Sequence, residues 1–206
     1  MFNEAIKCYD KAIETDPKNA DALEMKGSAL NYLGKYDEAI ECAERALGEY
    51  DKAIECAEKA ADVQALKERA ADVLALKGEA LSYKGVYKEA IVFAEKAIEE
   101  DKDRTNAYAR FVKGYAIDYS GYHDKAIEYY DEAIAIDSDD TDALNGMGIA
   151  LNYKNRYNEA EKRFNEAIIL LSKKGGKYQD IAYSYLNKSV SLYNLKREED
   201  LPLLWR

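Results

Sequence analysis

The side chains that could carry chemistry in this 206-residue chain are few: three cysteines, Cys8, Cys42 and Cys56, one histidine, His123, and a basic glycine run, Lys173-Lys174-Gly175-Gly176-Lys177. Thiolates with imidazoles can hold zinc, a histidine beside a serine or cysteine can activate a nucleophile, and a glycine loop closed by lysine can cradle phosphate. Each of these needs a geometry that the spacing does not supply. There is no CxxC pair, and a single histidine cannot complete a zinc set. Nothing near His123 offers a nucleophile with an orienting carboxylate. The basic run lacks the first glycine of a phosphate loop and follows a helical pattern instead of a strand, so it reads as a flexible insertion. Neither a catalytic residue nor a metal or cofactor is expected, and the chain does not read as an enzyme.

What the cysteines and the histidine share is their place in a recurring phrase. It appears as Phe2-Asn-Glu-Ala-Ile, Tyr36-Asp-Glu-Ala-Ile, Tyr50-Asp-Lys-Ala-Ile, Tyr87-Lys-Glu-Ala-Ile, His123-Asp-Lys-Ala-Ile and Tyr157-Asn-Glu-Ala-Glu, starting 34, 14, 37, 36 and 34 residues apart. The three cysteines stand at one place in it, three residues after its alanine, and His123 replaces its leading aromatic. Copies of one repeat position are displaced along an array, which argues for structural thiols and a substitute aromatic. From Ala39, Ala90, Ala126 and Ala160 the pattern continues to Ala43, Ala94, Tyr130 and Phe164, and then to Ala46, Ala97, Ala133 and Ala167. Steps of four and three put these side chains on one stripe of a helix, helix B, and the small ones let a second helix come close. Upstream stand Gly27, Gly78, Gly114 and Gly148, three of them flanked by Leu23/Leu30, Leu74/Leu81 and Leu144/Leu151, which mark helix A with glycine at its seam. Gly34, Gly85, Gly121 and Asn155 suit the left-handed residue that ends a helix. The unit is an αα-hairpin.

These residues resemble the tetratricopeptide repeat, whose pattern combines an apolar residue, glycine and alanine over a period of 34. Residues 20 to 53 match with Leu23, Gly27, Leu30, Ala39 and Ala46. Departures are Leu23, Leu74, Arg110 and Leu144 where the signature has an aromatic, and a terminal proline present only as Pro17. The resemblance implies an all-α, right-handed superhelical solenoid of antiparallel helix pairs, forming one domain over 1–206. Its parts are a half repeat at 2–17, repeats at about 20–70 (with a 17-residue insertion), 71–106, 107–140 and 141–174, and a terminal partial repeat at 178–206.

Composition agrees: 48% hydrophobic and 34% charged residues with two prolines describe a soluble helical chain. No apolar stretch is long enough to span a membrane and no leader is evident, so a cytoplasmic protein is expected. A net charge of −10 repels phosphate backbones and disfavours nucleic acid as a partner.

The family implies a protein or peptide ligand on a concave face lined by helix A. Carried onto this chain, that face offers Asp21, Glu24, Met25, Ser28, Asn31 and Tyr32, then Asp72, Ala75, Leu76, Glu79, Ser82 and Tyr83. Tyr108, Phe111, Val112, Tyr115, Asp118 and Tyr119 follow, and then Asp142, Asn145, Gly146, Ile149, Asn152 and Tyr153. None is Lys or Arg. Relatives that clamp a chaperone's C-terminal carboxylate need such donors, whereas here their places hold Glu24 and Ser28, Leu76, and Tyr108 and Val112, so a carboxylate tail is not the expected ligand. An acidic, tyrosine-rich groove suits a peptide or helical segment with apolar anchors and basic flanks. The expected contacts are Glu79, Tyr83, Tyr108, Phe111, Tyr115, Asp118, Tyr119, Asn145, Ile149, Asn152 and Tyr153. Tyr32, Tyr83, Tyr119 and Tyr153 recur at one repeat position and can equally be shared packing.

The short gap of 14 comes from an internal duplication. Residues 48 to 60 match 34 to 46 at ten of thirteen positions, and 61 to 70 match 71 to 80 at seven of ten. Either one helix B runs from about 37 to 69 or a break at Gly48 gives an extra helix, and the continuous helix is preferred because glycine alone costs only about 1 kcal/mol. Both forms push Ile54, Val63 and Leu66 out of the stack. With the uncovered ends, that surface makes a homodimer the alternative expectation.

Overall fold

A computed structural model describes residues 2–56, 60–101, 106–175 and 177–195. Among them are ten helices and no strand: α1 Phe2–Thr15, α2 Ala20–Tyr32, α3 Tyr36–Cys56, α4 Ala60–Tyr83, α5 Tyr87–Glu100, α6 Ala107–Tyr119, α7 His123–Ile136, α8 Thr141–Tyr153, α9 Tyr157–Lys173 and α10 Tyr178–Asn194. They form two compact units, Met1–Ala116 and Ile117–Arg206. In the first, α1 packs on α2, α2 on α3, α3 on α4 and α4 on α5, with α2 also beside α4. In the second, α7 packs on α8, α8 on α9 and α9 on α10, with α8 also beside α10.

The expected alanine stripe is the core. Ala39, Ala43, Ala46, Ala90, Ala94, Ala97, Ala126, Tyr130, Ala133, Ala160, Phe164 and Ala167 are all sealed from solvent. The partner helix reaches them through its glycine: a Cβ added at Gly148 would lie 2.6 Å from the Phe164 ring, and one at Gly78 would lie 3.1 Å from the Ala90 carbonyl. Backbones this close interlock, and the small residues are what permits it.

The turns follow from the same pattern. Gly34, Gly85, Gly121 and Asn155 hold φ of 74°, 81°, 88° and 59°. After each, the next residue's N–H reaches back five residues to a helix carbonyl, as Lys35 does to Leu30 and Arg156 to Leu151, both at 2.9 Å. These are Schellman closures, and they turn the chain within three residues.

The duplicated segment departs from both expected forms. α3 runs unbroken through Gly48 to Cys56, and a separate helix, α4, begins at Ala60. Lys84 pairs with Asp37, Lys77 with Glu44 at 2.7 Å, and Arg69 with the Tyr50 hydroxyl at 3.0 Å, so α4 lies antiparallel to α3. The continuous helix over 37 to 69 is therefore not formed. A duplicated helix B followed by a duplicated helix A lengthens both arms of one hairpin: α3 has 21 residues against 14 in α5 and α7, and α4 has 24 against 13 in α2, α6 and α8. Two arms can bury against each other apolar residues that one projecting helix would expose. Leu66 packs against the cluster of Leu23, Ala43, Tyr50 and Val73, and Ile54 and Val63 are half-buried. Tyr50, the aromatic of the copied phrase, pins the hairpin: its hydroxyl donates to Asp21 Oδ1 at 2.7 Å and accepts from Arg69 Nε.

A second departure is Arg110, which replaces the apolar signature residue and is buried. Its Nη1 donates to Asp101 Oδ2 at 3.0 Å and to the Asn106 carbonyl at 2.8 Å, which neutralises the charge where other repeats place leucine.

Two predictions concern this core. Gly148→Ala gains helix propensity but drives a methyl into a sealed ring, and should destabilise by about 1–2 kcal/mol in denaturant unfolding. Gly48→Ala, with nothing within 4 Å of the added methyl, should stabilise by up to about 1 kcal/mol. Equal signs would refute the role given to close approach. Burial also raises the carboxyls of Glu24, Asp72 and Asp140 above their ordinary values of 4.5, 3.8 and 3.8. Their protonated forms favour the folded state, so the stability they contribute is full below those values and is lost as pH rises through the raised ones. The melting temperature should therefore fall as the pH rises from about 4 through the raised values of these three carboxyls; a rise over that interval would contradict this.

Candidate functional site

The aromatic residue that ends each helix A lies within a turn of the one that opens helix B, and the two classes meet between successive repeats. In the first unit Phe2 stacks on Tyr32 with ring centroids 5.1 Å apart, and Tyr36 stacks on Tyr83 at 5.3 Å. In the second, His123 stacks on Tyr153 at 4.5 Å with the planes 2° apart. His123 thus takes the place of an aromatic, as its position predicts. Its Nδ1 lies 2.6 Å from Asp118 Oδ1, and burial raises the Asp118 carboxyl while the His123 contact lowers it. Tyr32, Tyr83 and Tyr153 are thus stacking contacts that keep an open face, and they and Tyr119 all remain exposed.

The richest cluster lies in the first unit, where α2 and α4 run side by side. Tyr83 meets Tyr115 edge-on at 5.6 Å, and Tyr115 tilts against Phe111 at 6.1 Å, so the rings form one run Tyr36–Tyr83–Tyr115–Phe111. Beside this run stands the Glu79 carboxylate. Asn31 Nδ2 donates to its Oε2 at 2.9 Å, Tyr83 approaches Oε1 at 3.5 Å, and the Tyr108 hydroxyl donates to it as well. These donors are neutral, and burial pushes the Glu79 carboxyl up despite them. The Tyr108 hydroxyl is itself raised well above its usual range, first by burial and then by Glu79. Asn31, Tyr32, Tyr36, Glu79 and Tyr83 line a half-open pocket of about 240 Å³.

The expected contacts divide between the units. Glu79, Tyr83, Tyr108 and Tyr115 converge in the first, while Phe111 is buried and serves as the floor of the ring run. In the second, Tyr119 and Tyr153 are exposed, Ile149 is half-buried, and Asp118 and Asn145 are buried. Asn152 ties α8 to α10, accepting from Ser191 Oγ at 2.8 Å and donating to the Asn187 carbonyl at 3.4 Å. Three pocket residues, Asn31, Tyr32 and Tyr36, lie outside the contact set expected from the sequence. Asn31 and Tyr32 are on the expected face, but the one is unremarkable by type and the other recurs as possible shared packing, while Tyr36 belongs to the helix B phrase. The three-residue turn is the signal that places Tyr36, the first residue of α3, beside the C-terminal end of α2.

Cys8 and Cys56 are exposed and Cys42 is buried. Among the described residues no group of three or more His, Cys, Asp and Glu could hold a metal ion, and no helix is long and apolar enough to cross a membrane.

No curated protein matches the chain. Among solved structures it resembles two of MamA, each at 27% identity over 84% of this chain, covering 91% and 85% of theirs with TM-scores of 0.56 and 0.54. It also resembles YrrB, described as "a TPR protein with an unusual peptide-binding site", at 18% identity over 91% of this chain and 97% of that one, with a TM-score of 0.52. Models of the tetratricopeptide repeat match residues 8–41, 71–104 and 107–140. Together with the alanine core, the seam glycines and the Schellman turns, these matches identify the chain as a member of the tetratricopeptide repeat family.

Proposed function

We propose that this chain, a protein–protein interaction scaffold by family, binds a peptide or helical segment carrying apolar anchors and basic flanks. The observation that carries the reading is the ring run Tyr36–Tyr83–Tyr115–Phe111 with Glu79 set into it. Tyrosines give large contact area for little lost rotamer freedom, and the rings hold one another in place before a ligand arrives. A carboxylate kept in a partly apolar site gains most from an incoming cation, while a net charge of −10 speeds its approach. The same features disfavour a C-terminal carboxylate, which would meet Glu79 instead of a basic donor. Binding and not catalysis is the reading, because the raised Glu79 carboxyl is capped by the neutral donors Tyr108, Asn31 and Tyr83.

Self-association is a second reading with one observation in its favour. On α10 the exposed Tyr183, Leu186, Val190 and Tyr193 fall at helical spacing along one side. The lengthened hairpin contributes less to it than expected, because Ile54, Val63 and Leu66 are half-buried.

Titration with basic–apolar peptides should show saturable binding that Tyr115→Ala weakens about tenfold, by loss of roughly 1–2 kcal/mol of ring contact. Unchanged affinity would remove the groove assignment. Light scattering separates the second reading: a 23.3 kDa species at all micromolar concentrations would rule it out.

A further inference from the structure

Within the groove the pocket of Asn31, Tyr32, Tyr36, Glu79 and Tyr83 has a chemistry of its own. Its volume of about 240 Å³ is below that of ordinary ligand cavities, but it admits one long side chain. Several features of its wall favour positive charge. Glu79 is a carboxylate, and the Tyr36 and Tyr83 rings present π faces, whose quadrupoles attract cations. The pocket sits at the C-terminal ends of two helices, α2 ending at Tyr32 and α4 at Tyr83, and neither last turn carries a basic residue. Helix C-termini add negative potential there. The lysines that flank the pocket in sequence are already paired, Lys35 with Glu38 and Lys84 with Asp37.

Acceptors also outnumber donors. A carboxylate has about four acceptor positions, and Glu79 uses them for Asn31, Tyr83 and Tyr108, which leaves room for a further N–H. The amide oxygen of Asn31 is buried and receives no hydrogen bond among the described residues. An orphaned buried carbonyl next to an under-used carboxylate calls for a ligand with several donors.

We propose that this pocket is an arginine subsite: a guanidinium stacks against the tyrosine faces and donates to Glu79 and to the Asn31 carbonyl. The inference rests on the groove reading and names the residue class that the groove selects. A quaternary ammonium would satisfy the rings but leave both acceptors without donors. An ammonium lacks the flat face and the forked donors that match a stacked, bidentate site.

The test uses the full chain, isotope-labelled, and NMR titration at matched ionic strength with N-acetyl-argininamide, N-acetyl-lysinamide and the neutral isostere N-acetyl-citrullinamide. Argininamide should give saturable shifts confined to residues 31–36 and 79–84, with lysinamide severalfold weaker and citrullinamide silent. Glu79→Gln preserves side-chain shape and removes a buried charge, so the fold should hold while argininamide binding drops at least tenfold. Tyr36→Leu, at the half-buried start of α3, should weaken it severalfold with Glu79 in place. Equal responses to argininamide and citrullinamide, or binding indifferent to Glu79→Gln, would overturn the proposal, and equal binding of lysinamide would overturn its selectivity. Failure here is distinguishable from failure of the groove: if a basic–apolar peptide still binds in a Tyr115-dependent manner while Glu79→Gln changes nothing, the subsite falls and the groove stands.

Discussion

The close approach of helix A to helix B is the constraint on which the rest of this molecule depends. Where Gly148 faces Phe164 a methyl group has no space without a shift, and where Gly78 faces the Ala90 backbone it fits only if its neighbours give way. Fixing that separation fixes the turn, because three residues must then close the hairpin, and it draws a left-handed residue to positions 34, 85, 121 and 155. It also fixes where the side chains at the two helix ends project. The tyrosine that ends helix A is thereby brought against the aromatic that opens the preceding helix B, and the stacked pairs of each unit follow.

A face assembled this way can carry features that weaken the fold locally. Glu79 is held by neutral donors at a burial that raises its pKa, so its ionised form costs stability that a glutamine would not. Asn31 keeps a buried carbonyl without a donor. Elsewhere the protein resolves such conflicts internally: Arg110 is matched by Asp101, and Tyr50 by Asp21 and Arg69. That contrast, with Asn31 Oδ1 lacking a donor among the described residues, supports the proposed groove on the helix A face.

Much of the scaffold was legible in the sequence because it recurs. The stripe from Ala39 to Ala46, the seam glycines and the turn residues repeat at a fixed period, and each copy corroborates the others. The lengthened hairpin is not legible in the sequence for a physical reason: α-helical continuity over 49 to 72 is locally favourable, and no proline or glycine cluster separates the arm that ends at Cys56 from the one that begins at Ala60. What decides it is tertiary, the mutual burial of two copied apolar faces and the Tyr50–Arg69 contact. The duplication of helix A beside that of helix B was the available signal. Site residues were legible by position but not by environment. Periodicity put Phe111, Asp118 and Asn145 on the right helices, yet only packing shows that they lie inward, and only the turn brings Tyr36 beside Asn31 and Glu79.

The central claim is that ligands meet the helix A face of the first unit. Hydrogen exchange of the full chain with and without a saturating basic–apolar peptide reports on it residue by residue. The account predicts added protection at 27–36, 76–86 and 107–116, with the helix B segments 39–46 and 90–97 unchanged. Protection confined to those helix B segments, or spread evenly over the chain, would contradict it.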